Sequence, residues 1–210
     1  IFLGDYVDGW SDSANVVSYL IELSRQNSCI FIRGNHDDLT HRWLKNGELN
    51  DQWLQHGGQS SINAYRRLSE ETKKDHIRFF DQMLNYYIDK ENRLFVHAGF
   101  TNLKGPEAEY NNIPFYWDRT LWEMTLALDP KLKQEDLEYP KRLLIFEEIF
   151  IGHTPVTRIG SNVPVNRANV WNIDTGAAFK GKLSMIDVNT HEIFQSDPVW
   201  ELYPEEEGRN

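Results

Sequence analysis

Residues 4–10, GDYVDGW, follow a short apolar run, residues 1–3 (IFL), so that Asp5 and Asp8 stand at the tip of a predicted strand. A second apolar run, residues 29–32 (CIFI), ends in the same manner at residues 33–37, RGNHD. Apolar side chains at helical spacing over residues 13–26 predict a helix between the two runs. A strand–helix–strand unit joins parallel strands, whose carboxyl ends lie at one edge of the sheet. The sequence therefore predicts an α/β fold with polar loops gathered at that edge.

The composition is that of a globular protein. The chain has 210 residues, of which 40% are hydrophobic and 26% are charged, which suits one domain with a core of its own. A net charge of −10 disfavours a nucleic-acid partner, because such affinity needs clustered Lys and Arg. No stretch approaches the roughly 20 apolar residues that cross a bilayer, so no membrane partner is expected either. The only cysteine, Cys29, cannot form an intrachain disulfide, which fits a cytoplasmic location.

The remainder of the chain supplies two more strand ends of the same kind. Residues 94–96 end at His97, and residues 149–151 end at Gly152 and His153. Residues 38–84 read as mostly helical and predict a cap beside the site, whereas residues 170–173, 183–188 and 193–194 read as closing strands, with a glycine-rich hairpin between the first two. We predict a single domain over residues 1–203 that includes this cap, followed by a frayed acidic tail over residues 204–210.

The four strand ends carry side chains that bind metals. They offer a carboxylate (Asp5), an amide oxygen (Asn35) and two imidazoles (His97 and His153), each near a glycine that lets the backbone come close. One such residue after a strand is usually a turn residue, but four in one chain favour a common site. This mixture of oxygen and nitrogen donors suits a borderline divalent cation such as Mn, Fe or Zn.

The same segments carry a family resemblance. The blocks GDYVDGW, RGNHD, HAGF and GHTP resemble four of the five signature blocks of the calcineurin-like metallophosphoesterases. They are most similar to the phosphoprotein (Ser/Thr) phosphatase branch, in its bacterial form. The resemblance implies a four-layer αββα sandwich with a helical cap insertion. The fifth block, GDxHG, is absent, and we expect it before residue 1, on a first strand that would complete the sheet and the other metal site.

The resemblance also implies roles for six residues. Asp5 is similar to the carboxylate that bridges two divalent metal ions, manganese in the first place with iron or zinc as alternatives. The remaining ligands of the second metal are then Asn35, His97 and His153. His36 is similar to the general acid that protonates the leaving oxygen, and Asp8 to its orienting partner. Hydrolysis would use water activated by the two metals, without a covalent enzyme intermediate.

The sequence departs from the family pattern at the phosphate-binding arginine, because Gly9 and Trp10 stand where Arg-Gly is usual. Arg119 is similar in context to a second phosphate-binding arginine of bacterial members and is the main candidate for this role. Arg33 is the other candidate, with a structural ion pair as the alternative interpretation.

Taken together, these features predict a metal-dependent phosphomonoester hydrolase that resembles protein Ser/Thr phosphatases. Its partner would be a phosphorylated protein or a small phosphoester. Two alternatives to this prediction stay open. In the first, the chain is a nucleotide hydrolase like the symmetrical dinucleoside tetraphosphatases. In the second, it is a non-catalytic remnant that lacks the first metal site.

Overall fold

The computed structural model describes residues 1–209, so Asn210, the last residue of the predicted acidic tail, lies outside the described residues. Helices and short strands are mixed along the chain, which confirms the predicted α/β class. The helices are α1 (Ser13–Gln26), α2 (Asn35–Asn46), α3 (Asp51–Trp53), α4 (Gln59–Tyr65), α5 (Glu70–Asp81), α6 (Ile113–Trp117) and α7 (Thr120–Ala127). The strands are β1 (Tyr86–Ile88), β2 (Arg93–Val96), β3 (Glu148–Ile151), β4 (Val165–Arg167), β5 (Val170–Asn172), β6 (Lys182–Ile186) and β7 (Ile193–Pro198).

A five-stranded sheet in the order β1-β2-β3-β5-β4 forms the centre of the fold. Its three inner strands are parallel, and the two edge strands pair antiparallel. Leu94 and Ile149 of the inner strands are fully buried on one face, against Trp122 of α7. On the other face Phe95 and Phe150 stack with their ring centroids 5.0 Å apart and contact the β6–β7 sheet. The inner strands are buried on both faces, as parallel sheets usually are.

The opening strand–helix–strand unit is present in reduced form. The Phe2 amide donates to the Ile30 carbonyl at 2.8 Å and the Ile32 amide donates to the Phe2 carbonyl at 2.9 Å. This pairing is parallel, as the sequence predicts, but it is an isolated bridge between Phe2 and Phe31 rather than a ladder. It nevertheless brings the loops that follow Leu3 and Ile32 side by side.

The closing strands are arranged differently from the prediction. β5 lies in the central sheet, whereas β6 pairs with β7, so no hairpin joins residues 170–173 to 183–188. The tight turn at residues 187–192, where the His191 amide donates to the Asp187 carbonyl at 2.8 Å, makes β7 the nearer partner of β6. Strand β4, which the sequence did not indicate, pairs with β5.

The segment from Asn35 to Asp81 is helical, in agreement with the sequence. Gly47 ends α2 in a left-handed conformation with φ of 72°, and Ser69 caps α5 by accepting from the Thr72 amide at 3.1 Å. A kinked segment, Leu54–Gly58, joins α3 to α4, with Gly57 in a left-handed conformation at φ of 102°. The role of this segment as a cap, and the single domain over residues 1–203, stay predictions. Among the described residues, no helix has both the length and the apolar character to span a membrane.

A buried histidine in the helical segment makes the stability of the fold sensitive to acid. His76 is 1% exposed, with its ring between Ser18 Oγ and Tyr65 Oη, each 3.0 Å away. Burial lowers the pKa of His76 from the ordinary value of 6.5 to about 4. The unfolded chain therefore binds this proton at a higher pH than the folded chain does.

We expect the free energy of unfolding to fall between pH 6.5 and about 4, by up to about 3 kcal/mol from His76 alone. Above pH 6.5 the contribution is absent, because both states are neutral there. Urea unfolding at pH 7, 5.5 and 4.5 measures this loss, and His76→Gln should remove a large part of it. Equal slopes in the parent protein and in His76→Gln would contradict the assignment.

The C-terminal segment is packed rather than frayed. We call residues 203–209 the C-terminal strap. The Tyr203 ring stacks on the Trp10 ring at 5.0 Å with an interplanar angle of 14°. The amide and hydroxyl of Ser11 both donate to the Glu206 carboxylate, at 2.8 and 2.6 Å. These contacts differ from the expectation of a frayed tail because aromatic stacking and a paired carboxylate offset the loss of chain entropy.

Candidate metal centre

The structure brings Asp5, Asn35, His97 and His153 into one cluster at the carboxyl edge of the strands. The Asn35 Oδ1 atom lies 3.1 Å from His97 Nε2 and 3.0 Å from His153 Nδ1. The Asp5 Oδ1 atom lies 3.5 Å from His97 Nε2. Four segments that are distant in sequence therefore present their polar atoms to the same point.

The hydrogen bonds of His97 favour a cation in this cluster. Its Nδ1 atom donates to the Leu3 carbonyl at 2.7 Å, and its Nε2 atom faces the oxygens of Asn35 and Asp5. An imidazole nitrogen and two acceptor oxygens that face one another need either a proton or a metal cation between them. A carbonyl behind a metal-binding imidazole is also the usual way in which its orientation is fixed.

His153 gives a second indication of the same kind. Burial, with the nearby His97, lowers the pKa of His153 to about 3, so the ring is neutral and able to bind a metal. The Nδ1 atom, which lies 3.0 Å from Asn35 Oδ1, is the nitrogen that faces the cluster. The Nε2 atom on the other side of the ring is buried and has no hydrogen-bond partner in the described part of the chain.

The donor set therefore fits a divalent cation. Within residues 1–209, no three His, Cys, Asp or Glu side chains are already spaced as metal ligands. Here one donor is an asparagine, and its Oδ1 atom hydrogen-bonds to both histidines instead. A cation would replace those hydrogen bonds. The donor types and their convergence on one point support the assignment.

Asp37, which the sequence analysis did not single out, fixes the loop that carries Asp5. Its carboxylate accepts from the backbone amides of Asp5 at 2.6 Å, Tyr6 at 2.9 Å and Gly34 at 2.8 Å. Burial, with the nearby Asp5, raises the pKa of Asp37 to about 8. A Cβ atom at Gly34 would collide with the Asp5 carboxylate, so the two loops meet only because residue 34 is glycine.

Asp5 itself is strongly acidic in this environment. Burial alone would raise the pKa of Asp5, but the surrounding His97, Arg209 and other basic groups hold this pKa well below its usual range. The carboxylate is therefore ionised, and it divides its contacts. Oδ1 accepts from the His36 amide at 3.1 Å, and Oδ2 accepts from Arg209 Nη1 at 2.7 Å.

His36 and Asp8 form a second unit beside the cluster. His36 Nδ1 lies 2.6 Å from Asp8 Oδ2, and the Asp8 side chain has no exposed surface. The same carboxylate accepts from Trp53 Nε1 and Ser61 Oγ, both at 2.6 Å. Asp8 therefore holds a proton on His36 Nδ1 and leaves Nε2 of that ring for chemistry. The contact of Trp53 with Asp8 was not predicted, because Trp53 stands in no recognisable motif.

Of the predicted phosphate-binding residues, Arg119 lines the cleft that contains the cluster, and Arg33 is held elsewhere. The Arg119 side chain is exposed, and no carboxylate within residues 1–209 pairs with it. The Arg33 guanidinium contacts the Phe80 carbonyl, Asp38 Oδ1 at 3.4 Å and His41 Nδ1 at 3.1 Å. Its position thus matches the alternative interpretation, a structural ion pair.

Three of these residues have strained backbones. Asp5, Asp8 and His153 adopt left-handed conformations, with φ of 63°, 74° and 66°. A residue with a side chain in this region costs about 1–3 kcal/mol, and such strain is concentrated at functional sites. The strain turns these side chains away from the strand direction and towards the cluster.

The cluster opens into a cleft of about 1360 Å³. His36, Trp117 and Arg119 are among its lining residues, as are Leu3 and residues of the β6–β7 sheet. The Trp117 ring is 44% exposed and meets the His153 ring edge-on at 6.1 Å.

Comparison with known proteins agrees with this geometry. The calcineurin-like phosphoesterase family model matches residues 1–174. The chain is 25% identical over 190 residues to the asymmetrical bis(5'-nucleosyl)-tetraphosphatase PrpE of Anoxybacillus flavithermus, covering 88% of this chain and 73% of that one. It is also 25% identical over 191 residues to the enzyme of the same name from Oceanobacillus iheyensis, covering 88% and 71%. A solved protein provisionally described as a diadenosine tetraphosphatase has 18% identity, covers 94% and 78% of the two chains, and superimposes with a TM-score of 0.59, which supports the fold.

The comparisons correct one part of the sequence analysis. The prediction of a protein Ser/Thr phosphatase with a phosphorylated protein as its partner is wrong, since the relatives are described as nucleotide hydrolases. A small phosphoester substrate remains compatible with them. The predictions of a metallophosphoesterase and of bacterial relatives are confirmed. The family generally depends on two metal ions. From the family match over residues 1–174 and the clustered donor residues, we conclude that the chain belongs to the calcineurin-like phosphoesterases.

Proposed function

We propose that the chain hydrolyses dinucleoside polyphosphates, with divalent metal ions bound by Asp5, Asn35, His97 and His153. The observation that carries this proposal is the position of the donor cluster directly beside the His36–Asp8 pair, in one cleft. The names of the relatives direct the choice of substrate. Manganese is our first choice of metal, with iron or zinc as alternatives, and a cytoplasmic location stays a prediction.

The bound metals would supply Lewis-acid stabilisation of the phosphoryl oxygens and a water of lowered pKa. The chain supplies the proton. Asp8 holds His36 Nδ1 in the donor state, so that a protonated His36 can give its Nε2 proton to the leaving phosphate oxygen. Because Trp53 and Ser61 fix Asp8, the imidazole is oriented before the substrate arrives.

The surroundings of the cluster suit a nucleotide. The exposed Trp117 ring offers a flat face on which a base can stack. Arg119, two residues away, has a guanidinium that is not used by any ion pair among residues 1–209. A base on Trp117 and a phosphate on Arg119 would place the polyphosphate next to His153.

Product analysis tests this proposal. The full chain, loaded with Mn²⁺, is incubated with diadenosine tetraphosphate and, separately, with a phosphoserine peptide. We expect the nucleotide to be cleaved at least 100-fold faster, as kcat/KM. ATP with AMP as products indicates asymmetrical cleavage, and two ADP molecules indicate symmetrical cleavage. Faster release of phosphate from the peptide would contradict the proposal, and no cleavage of either substrate would support the non-catalytic interpretation.

A further inference from the structure

The strap places one arginine inside the candidate metal centre. Arg209 is only 9% exposed, and its Nη1 atom donates to Asp5 Oδ2 at 2.7 Å while its Nη2 atom donates to the Val7 carbonyl at 2.6 Å. Arg209 lies 204 residues from Asp5 in the chain, so no local pattern indicates this contact. Basic residues that line the cleft also include Arg119, Arg158 and Lys182, but only Arg209 bonds to a member of the donor cluster.

The hydrogen bonds of Arg209 are incomplete. The Nε atom is buried and has no acceptor among the described residues. A buried guanidinium N–H without an acceptor is unfavourable, and a guanidinium suits the oxygens of a phosphate, which it can bind through two parallel hydrogen bonds. Burial tends to lower the pKa of Arg209, but the charges of Asp5 and Asp8 raise it, so the cation is permanent.

The strap is built to hold this side chain in place. Its backbone is fixed where the Arg209 amide donates to the Ala178 carbonyl at 2.8 Å. A Cβ atom at Gly9 would lie 3.0 Å from Arg209 Cγ, so the aliphatic stem runs directly over residue 9. Gly208 packs against the ring of Trp10, which also stacks on Tyr203. Most of the strap therefore contacts residues 9–11, and Arg209 extends to Asp5 and Val7 at the candidate metal centre.

We propose that Arg209 is a phosphate-binding residue of this site and that the strap delivers it. Transfer of a phosphoryl group concentrates negative charge on its oxygens, and a cation fixed beside the metal ligands stabilises that charge. Arg209 is fixed next to Asp5, whereas Arg119 lies exposed on the lining of the same cleft. This inference rests on the proposed phosphoester hydrolysis, but it does not depend on which phosphoester is the substrate.

Binding of inorganic phosphate tests the inference directly. Isothermal titration calorimetry measures the Kd of phosphate for the full Mn²⁺-loaded chain. Bound metal per chain and the melting temperature are measured on the same samples. Arg209→Met keeps the length of the stem and removes the charge, so we expect the Kd to rise at least tenfold with metal content unchanged. Arg209→Lys keeps a charge without the planar fork, and we expect a rise of about threefold. Glu205→Gln, an exposed substitution in the same strap, is the matched control and should leave the Kd unchanged.

Several outcomes would overturn the inference. An unchanged Kd in Arg209→Met, or no binding of phosphate by the parent chain, would remove Arg209 from the site. A loss of bound metal in that variant would make Arg209 a residue that positions Asp5. If Arg209→Met does not fold, an unchanged Kd in Arg209→Lys is the contradicting result. If diadenosine tetraphosphate is not cleaved while Arg209→Met still weakens phosphate binding, the proposed substrate fails and this inference stands.

Discussion

Asp5→Asn abolishes bound divalent metal and phosphoester hydrolysis together, with kcat/KM reduced at least 100-fold. The carboxylate of Asp5 is held ionised by the basic groups around it, among them His97 and Arg209. A neutral carboxamide has nearly the same shape but is a weaker ligand for a divalent cation. It would also leave the Arg209 guanidinium buried without its partner.

Metal analysis of the purified protein and the rate of hydrolysis are measured on the same samples. Asp12→Asn is the matched control, because Asp12 is an exposed aspartate on the adjoining turn whose carboxylate accepts from Asn15 Nδ2 at 2.7 Å. This control should keep both metal and activity. Full metal content in Asp5→Asn, or activity that persists after the metal is lost, would remove Asp5 from the metal centre.

His36→Ala keeps its metal and slows hydrolysis by about 10²–10⁴-fold, as expected when a general acid is removed. The loss should depend on the leaving group. Esters of poorly acidic alcohols need the proton from His36 Nε2, whereas p-nitrophenolate leaves without it. The substitution does not touch the four donors, since His36 contributes only its backbone amide to Asp5.

Rates for a series of aryl and alkyl phosphate esters, plotted against the pKa of the leaving alcohol, measure this effect. The slope should become markedly steeper in His36→Ala than in the parent enzyme. His191→Ala, a surface substitution beside Trp171, serves as the control with an unchanged slope. Equal slowing of good and poor leaving groups would show that His36 does not act as the acid.

The parts of the fold that the sequence predicts are those determined by local patterns. The helix over residues 13–26 and the ends of the strands at His97 and His153 follow from periodicity and from adjacent glycines. The pairing of β6 with β7 was not predicted, because two short strands near a glycine-rich loop have several possible partners. Tertiary packing decides among them, and a single sequence does not contain that comparison.

Part of the candidate site was likewise predicted from the sequence, and part was not. The predicted residues each stand at a strand end, where the sequence shows their chemistry: Asp5, Asn35, His36, His97 and His153. The residues that support them do not stand at strand ends. Trp53 and Arg209 reach the Asp5–Asp8 loop from 45 and 204 residues away, and only the folded chain shows that they contact it. A tryptophan and an arginine outside any motif have many ordinary uses in a protein.

The left-handed backbone of His153 has a consequence for laboratory evolution. A library screened only for thermal resistance would enrich glycine or asparagine at position 153, because both residues accept such a backbone more readily and the buried Nε2 atom of His153 has no partner among the described residues. The enriched clones would melt later but would lack one of the proposed metal ligands. Selection for robustness and selection for turnover therefore oppose each other at this position, and a stabilised variant of this enzyme has to gain its margin from other parts of the molecule.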